Sequence, residues 1–319
     1  MNPKVSQRSG ISAIVPVFNS EKWLARSLES ITGCMGSHDE IILIDDFSTD
    51  SSKRIMSDFA RKDIRIRVFE NKRKGLVNAL NYGISLSKHS IIARFDSDDL
   101  YKAERIDLQY SILDEKVALV FSDYSFIDEH ERSLGTLLAP RNTLRAYVSL
   151  AASRRTPHPV AMFLKTAFYE VGGYLENDYP NEDLSLWLRI GLKYEISSVP
   201  ESLLKYRIHP NAISSKFSKS QKNGVALTVK RYFSIERFRL LQQEHRTKVR
   251  GHAKTGSELT LDLLDDLRLL SYYPRDFSIF RLFAKDLFEW FAGFPNTSLA
   301  FIKLYREAKR RRKARLKGL

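Results

Sequence analysis

What most constrains the fold of this chain is a regular change of hydrophobic period. Over the first 120 residues, short apolar runs suited to strands alternate with segments whose apolar residues recur at helical spacing. Residues 11–18, Ile-Ser-Ala-Ile-Val-Pro-Val-Phe, form the first run. Asn19-Ser20 then reads as an N-cap, and Trp23, Leu24, Leu28 and Ile31 share one face of a helix over 21–31. Residues 40–45 give a second strand, Ser48-Thr49-Asp50 caps a helix reaching Ala60, and 64–69 alternates as a third strand. A helix over 76–87 precedes the apolar run 91–93. Parallel neighbours need a crossover long enough to hold a helix, so repeated β-α-β units imply a largely parallel sheet flanked by helices. Past Tyr101 the pattern continues through a helix and a strand over 117–121. It then loses regularity to about residue 215 and reads as helical from about 225.

Open α/β sheets bind ligands at the C-terminal ends of their strands. At such an end stands Arg94-Phe95-Asp96-Ser97-Asp98-Asp99, with three carboxylates in four residues directly after 91–93. Carboxylates at i and i+2 can share one hard divalent cation and leave coordination positions for phosphate oxygens. A solvated acidic turn is the plainer alternative, and the cluster alone does not decide between them.

Composition narrows the class. With 319 residues, 43% of them hydrophobic and 11% aromatic, the chain can bury a substantial core. Its one cysteine, Cys34, excludes an internal disulfide and suits a reducing compartment. The first ten residues lack the apolar core of a signal peptide, and no run of eighteen apolar residues occurs, so a cytoplasmic protein is expected. The net charge of +14 is concentrated late: Lys309, Arg310, Arg311, Arg312, Lys313, Arg315 and Lys317 follow the apolar-rich segment 277–294, which holds Phe280, Phe283, Phe288, Trp290 and Phe291. That combination suits either packing on the protein or attachment to an anionic membrane surface.

Four segments in order carry a more specific signal: Val15-Pro-Val-Phe-Asn19 with Glu21, Ile44-Asp-Asp-Phe-Ser-Thr-Asp50, Lys74-Gly-Leu-Val-Asn78, and Arg94-Phe-Asp-Ser-Asp-Asp99. Together they resemble the family 2 glycosyltransferases, inverting enzymes of the GT-A fold that use nucleotide-diphosphate sugars. His158-Pro-Val-Ala-Met-Phe-Leu-Lys165, Gly172-Gly-Tyr174, Asn181-Glu-Asp183 with Trp187, and Tyr206-Arg-Ile-His209 extend the resemblance, which covers roughly 10–215. It implies an α/β, Rossmann-like GT-A domain over 10–220, with a donor half at 10–100 and an acceptor half at 101–220. A helical basic region over 221–319 follows.

The resemblance also implies roles. Pro16 and Phe18 would meet the base and ribose, with Glu21 beside them, and Asp46 would accept from a uracil-type ring N–H. Lys74 and Asn78 would lie near the phosphates, where a helix N-terminus favours anions. Asp98 and Asp99, with His209, would hold Mn²⁺ or Mg²⁺, and Asp96 would sit nearer the ribose. Asp183 would be the general base, with Glu182 and His158 on the acceptor side; the family's second aspartate is Ser185 here. Gly172-Gly173 would make a tight turn. The expected partners are a donor, UDP-linked, and a glycan or lipid-linked acceptor, with the inner membrane face as a possible surface and no nucleic acid.

Other classes fit less well. A nucleic-acid-binding module would rest on the basic tail alone, without zinc-ligand spacing, an RNA-recognition signature or a helix-turn-helix pattern. A nucleotidyltransferase needs a Gly-rich loop after the first strand, which Pro16-Val-Phe-Asn19 is not. A processive synthase would carry transmembrane helices and a Gln-x-x-Arg-Trp motif.

Overall fold

The computed structural model describes residues 8–151, 157–210, 212, 218–234, 236–238, 240–241 and 243–244. The segment 277–294 and the basic tail lie outside the described residues.

Four strands build one half of the sheet: β1 (Ile11–Val17), β2 (Glu40–Asp45), β3 (Ile66–Glu70) and β4 (Ile91–Arg94). They pair in parallel in the order β3-β2-β1-β4. The crossovers are helices α1 (Leu24–Cys34), α2 (Ser52–Lys62) and α3 (Leu76–Leu86). Every residue of β1 and β2 is buried. This is why they read as continuous apolar runs: helices on both faces leave no wet side to alternate against. Each fully buried Ile, Leu or Val there contributes about 1.5–3 kcal/mol.

The second half is mixed. It contains β5 (Leu100–Tyr101), α4 (Arg105–Tyr110), β6 (Val117–Ile127), β7 (Ser133–Leu137) and α5 (Thr143–Ala151). It continues with β8 (Met162–Leu164), α6 (Lys165–Glu170), α7 (Glu182–Lys193), β9 (Glu195–Arg207) and α8 (Ser218–Tyr232). The sheet continues β4-β8-β6-β9-β5, with β7 pairing the last residues of β6, Tyr124 to Ile127, beyond the stretch that β8 occupies. Here only β6 and β9 pair in parallel; β4-β8, β6-β8, β5-β9 and β6-β7 are antiparallel. The largely parallel expectation therefore holds for the first half and gives way to a mixed sheet in the second.

Several boundaries differ from the sequence reading for physical reasons. The helix expected from residue 21 begins at Leu24, without a side-chain cap. Asn19 adopts φ +47 and accepts the Thr49 amide at 2.8 Å through its Oδ1, so its side chain ties two loops together. Strand β6 runs to Ile127 because Asp123, which interrupts the apolar run, is satisfied inside the fold: it accepts from the Ala139 amide and from Arg141. Strand β9 was hidden by Pro200. The register jumps from Val199 to Ser202 there, and a bulge is where a strand admits proline.

A buried arginine joins the halves. Arg105 donates to the carbonyl of Arg94 at 2.7 Å and lies 3.9 Å from the centroid of the Phe95 ring. Burial lowers its pKa to about 10. Helix α8 docks on this core: Arg231 and Tyr232 both donate to Asp178, and Phe233 stacks on Tyr147 at 4.6 Å.

Candidate active site

The loops that follow β1, β2, β3 and β4 all emerge at one edge of the sheet, and hydrogen bonds fix them to one another. The Asp46 amide donates to the Val17 carbonyl, the Asn71 amide to the Asp45 carbonyl and the Phe95 amide to the Ile14 carbonyl. Ser20 and Ser97 share a 2.7 Å hydroxyl contact. Glu21 and Asp50 clasp their loops reciprocally: the Glu21 amide donates to Asp50, and the Ser51 amide donates to Glu21.

These loops enclose a cleft of about 850 Å³ lined by Pro16, Phe18, Glu21, Asp46, Lys74, Asn78, Asp96, Asp98 and His209. Phe18 is 47% exposed and does not join the core; the Lys74 ammonium lies 4.9 Å from the centroid of its ring. Asp46 accepts from Asn71 Nδ2 at 2.7 Å and from the Gly75 amide at 2.8 and 3.0 Å, which shapes the loop leading into α3. Gly75, at φ +126, makes the turn that opens this helix toward the cleft, and α3 carries no side-chain N-cap.

A second cleft of about 460 Å³ is lined by Arg94, Asp96, Asp98, Asp99, His158, Glu182 and Asp183, together with Tyr124, Phe126 and Tyr206. Asp96 and Asp98 line both clefts. Nine of the ten residues expected at the donor nucleotide and metal thus meet in the first cleft, and Glu182, Asp183 and His158 meet in the second. Asp99 lines the second cleft only.

The acidic cluster offers one oxygen from each of Asp96, Asp98 and Asp99 within 4.8 Å of one another. Asp99 is 1% exposed; its Oδ1 accepts the Arg207 amide at 2.7 Å, while its buried Oδ2 has no hydrogen-bond partner. Burial, then repulsion from Asp98 and Asp96, raises the Asp99 pKa well above the ordinary carboxylate range. Burial raises Asp96 as well, opposed by Arg94, which forms an ion pair with it. A buried unpaired carboxylate oxygen beside two further carboxylates fits a hard divalent cation, whose charge would relieve both costs.

His209 Nε2 lies 2.9 Å from Asp98 Oδ2, and the His209 ring lies 4.1 Å from that of Trp23. Antiparallel pairing of β5 with β9, Leu100 opposite Lys205, brings Asp98 and His209, 111 positions apart, together at this point. Arg207 pins the junction, with its Nε donating to the Asp98 carbonyl at 2.8 Å.

Glu182 and Asp183 open α7, where the helix dipole favours acids. Burial nevertheless raises both: Glu182 to about 8, with repulsion from Asp183 adding to it, and Asp183 also upward. Asp183 Oδ1 accepts the Leu184 amide, and Glu182 Oε2 is buried with no hydrogen-bond partner. Ser185, where the family often has an aspartate, donates to Asp178 behind the helix. His158 is held by a 2.7 Å hydrogen bond between its Nε2 and the Tyr174 hydroxyl. Burial, with the nearby Arg94 charge, pushes its pKa well down and keeps the ring neutral. Gly172 and Gly173 take φ +84 and +66, and a Cβ on Gly173 would come within 2.9 Å of Phe168.

Sequence reasoning passed over Arg94, Arg207, Trp23 and the aromatic residues of β6. Arg94 and Arg207 stood inside quoted motifs but carried no signal of their own. Trp23 read as a core residue of α1.

The profile of Glycosyl transferase family 2 matches residues 12–172, half of the chain. An uncharacterized glycosyltransferase of Rickettsia bellii (strain RML369-C) is 29% identical over 210 residues, 65% of this chain and 30% of its own length. The chain spans about a third of the length of the Rickettsia relatives it matches. The UDP-Gal:alpha-D-GlcNAc-diphosphoundecaprenol beta-1,3-galactosyltransferase of Escherichia coli is 32% identical over 179 residues, 54% of this chain and 63% of its own. In fold, the chain resembles S. aureus TarS 1–349 in complex with UDP-GlcNAc, at TM-score 0.60 and 16% identity, covering 97% of this chain and 92% of that one. The chain belongs to glycosyl transferase family 2, on an α/β GT-A fold.

Proposed function

We propose that the protein is an inverting, metal-dependent glycosyltransferase. It moves one sugar from a UDP-linked donor to a hydroxyl of a glycan or lipid-linked acceptor in bacterial surface polysaccharide or glycolipid assembly. The observation that carries this reading is the meeting of two clefts at Asp96 and Asp98, with Asp183 in the second. The Escherichia coli relative, named for a UDP-sugar donor and a diphosphoundecaprenol-linked acceptor, supports both partners.

In this reading the first cleft holds the nucleotide, with Phe18 and Pro16 against base and ribose, Asp46 accepting from the base, and Lys74 and Asn78 near the phosphates. Glu21 keeps the first two loops in register. Asp98 and Asp99, with His209, would hold Mn²⁺ or Mg²⁺, which supplies positive charge to the departing diphosphate. Asp183 takes the proton from the acceptor hydroxyl as its oxygen bonds to the anomeric carbon and the bond to the diphosphate breaks. Its raised pKa makes it a stronger base than an ordinary aspartate. Glu182 and His158 border the acceptor.

The test is a screen of nucleotide sugars for protection against thermal unfolding with and without Mn²⁺, since a ligand bound only by the native state raises its stability. A metal-dependent rise with UDP-sugars is expected; no rise with any of them refutes the reading. No helix among the described residues is long and apolar enough to cross a membrane. We place the protein peripherally at the inner membrane face through 277–294 and the basic tail. Equal flotation with anionic liposomes by the full chain and by one ending near residue 300 refutes the role of the basic tail in that attachment.

A further inference from the structure

The second cleft has one wall that the transfer chemistry does not use. The parallel register of β6 and β9 sets Tyr124 opposite Leu204 and Phe126 opposite Tyr206. Residues two apart on a strand point to the same face, so Tyr124 and Phe126 stand side by side and Tyr206 lies across from Phe126. Their ring centroids are 5.3 and 5.9 Å apart with planes at 75° and 86°, a continuous edge-to-face strip. All three rings line the cleft that also holds Asp183. Its volume, about 460 Å³, is within the range of small-molecule sites.

The cleft is therefore amphipathic, with aromatic carbon on one wall and carboxylates beside it. A pyranose ring has the matching character, with C–H bonds on its faces and hydroxyls around its rim. A linear polyol phosphate has no such face and would need a cation for its phosphate. The arginines that line the cleft are committed elsewhere: Arg94 to Asp96, and Arg207 to the Asp98 carbonyl and to Glu131. Their side chains are only 3% and 1% exposed.

We propose that Tyr124, Phe126 and Tyr206 form the acceptor subsite, and that the acceptor residue is a pyranose laid on this strip with its reacting hydroxyl turned to Asp183. The inference rests on the glycosyltransferase reading of the site and specifies the acceptor class within it. Contacts between aromatic rings are worth up to about tenfold in affinity beyond the area they bury, and a ring laid against a sugar face is given the same scale.

The test is saturation-transfer NMR on the full chain with UDP and Mg²⁺ present. The probes are methyl glucoside, methyl galactoside, methyl N-acetylglucosaminide and ribitol 5-phosphate. At least one pyranoside is expected to receive saturation, concentrated on its ring C–H protons. That signal should fall about tenfold in Phe126→Leu, which keeps apolar bulk without a ring, and persist in Phe126→Tyr. Should Phe126→Leu fail to fold, Tyr206→Leu takes its place. A pyranoside signal unchanged in the leucine variant, no pyranoside signal in the wild type, or saturation of ribitol 5-phosphate alone overturns the assignment. Absence of any UDP signal in the wild type instead refutes the glycosyltransferase reading beneath it.

Discussion

The two clefts are built by different means. The first is made mainly of loops that leave the parallel strands, so most of its residues come from four short segments in chain order, with His209 added from beyond β9. The second is assembled across the mixed half of the sheet, from the ends of β4, β6 and β9 and the start of α7. Local sequence writes most of the first cleft; long-range strand pairing writes the second and adds His209 to the first. They also differ in electrostatic cost. A divalent cation can relieve the acids between the clefts, whereas the burial of Glu182 and Asp183 is opposed by the Arg94 charge and by backbone amides.

The largest test of this division is Asp183→Asn. Removing a general base lowers turnover by a factor on the order of 10² to 10⁴, and the nucleotide affinity of the first cleft should stay near wild type. Separate calorimetry of UDP and assay of transfer check it; a parallel loss of UDP binding would merge the two clefts into one.

A smaller effect is expected on the donor side. Asp98→Ala should weaken UDP binding on the order of 10²-fold in Mn²⁺, because it removes charge that holds the cation against the diphosphate. Calorimetry with EDTA should mimic the substitution in the wild type and change nothing further in the variant. Full UDP affinity in chelator would remove the metal from the account.

Stability against pH sharpens the electrostatic contrast. Below its ordinary pKa of 4.5, Glu182 is protonated in both folded and unfolded chains. Between 4.5 and about 8 the unfolded chain has lost the proton and the folded one keeps it, so stability falls as pH rises through that window. Glu182→Gln should flatten this slope, gaining a few kcal/mol at pH 8 and little at pH 4.5. Urea titrations at the two pH values measure it, and Mn²⁺ should leave this share of the slope in place. An identical slope in the variant would show that Glu182 is not the group responsible.

The legibility of the molecule in its sequence follows the same boundary. Strands β1, β2 and β4 were readable because burial on both faces makes them unbroken apolar runs, and β3 because its half-exposed position makes it alternate; the residues expected at the donor sit beside them. Strand β9 was not, since Pro200 masks it and its partner is nearly 80 residues away. Tyr124, Phe126 and Arg207 gain meaning only from that pairing. Asp183 was readable through its motif, whereas its burial beside Glu182 was not, because desolvation depends on what packs around the start of α7.

The central claim is that donor and base lie on opposite sides of the reacting carbon. Proton NMR of the product at early times, starting from a UDP-α-sugar, tests it directly through the anomeric coupling constant. The account predicts the β product, with inverted configuration; an α product would contradict it, because retention requires a nucleophile or an attack on the donor's own side.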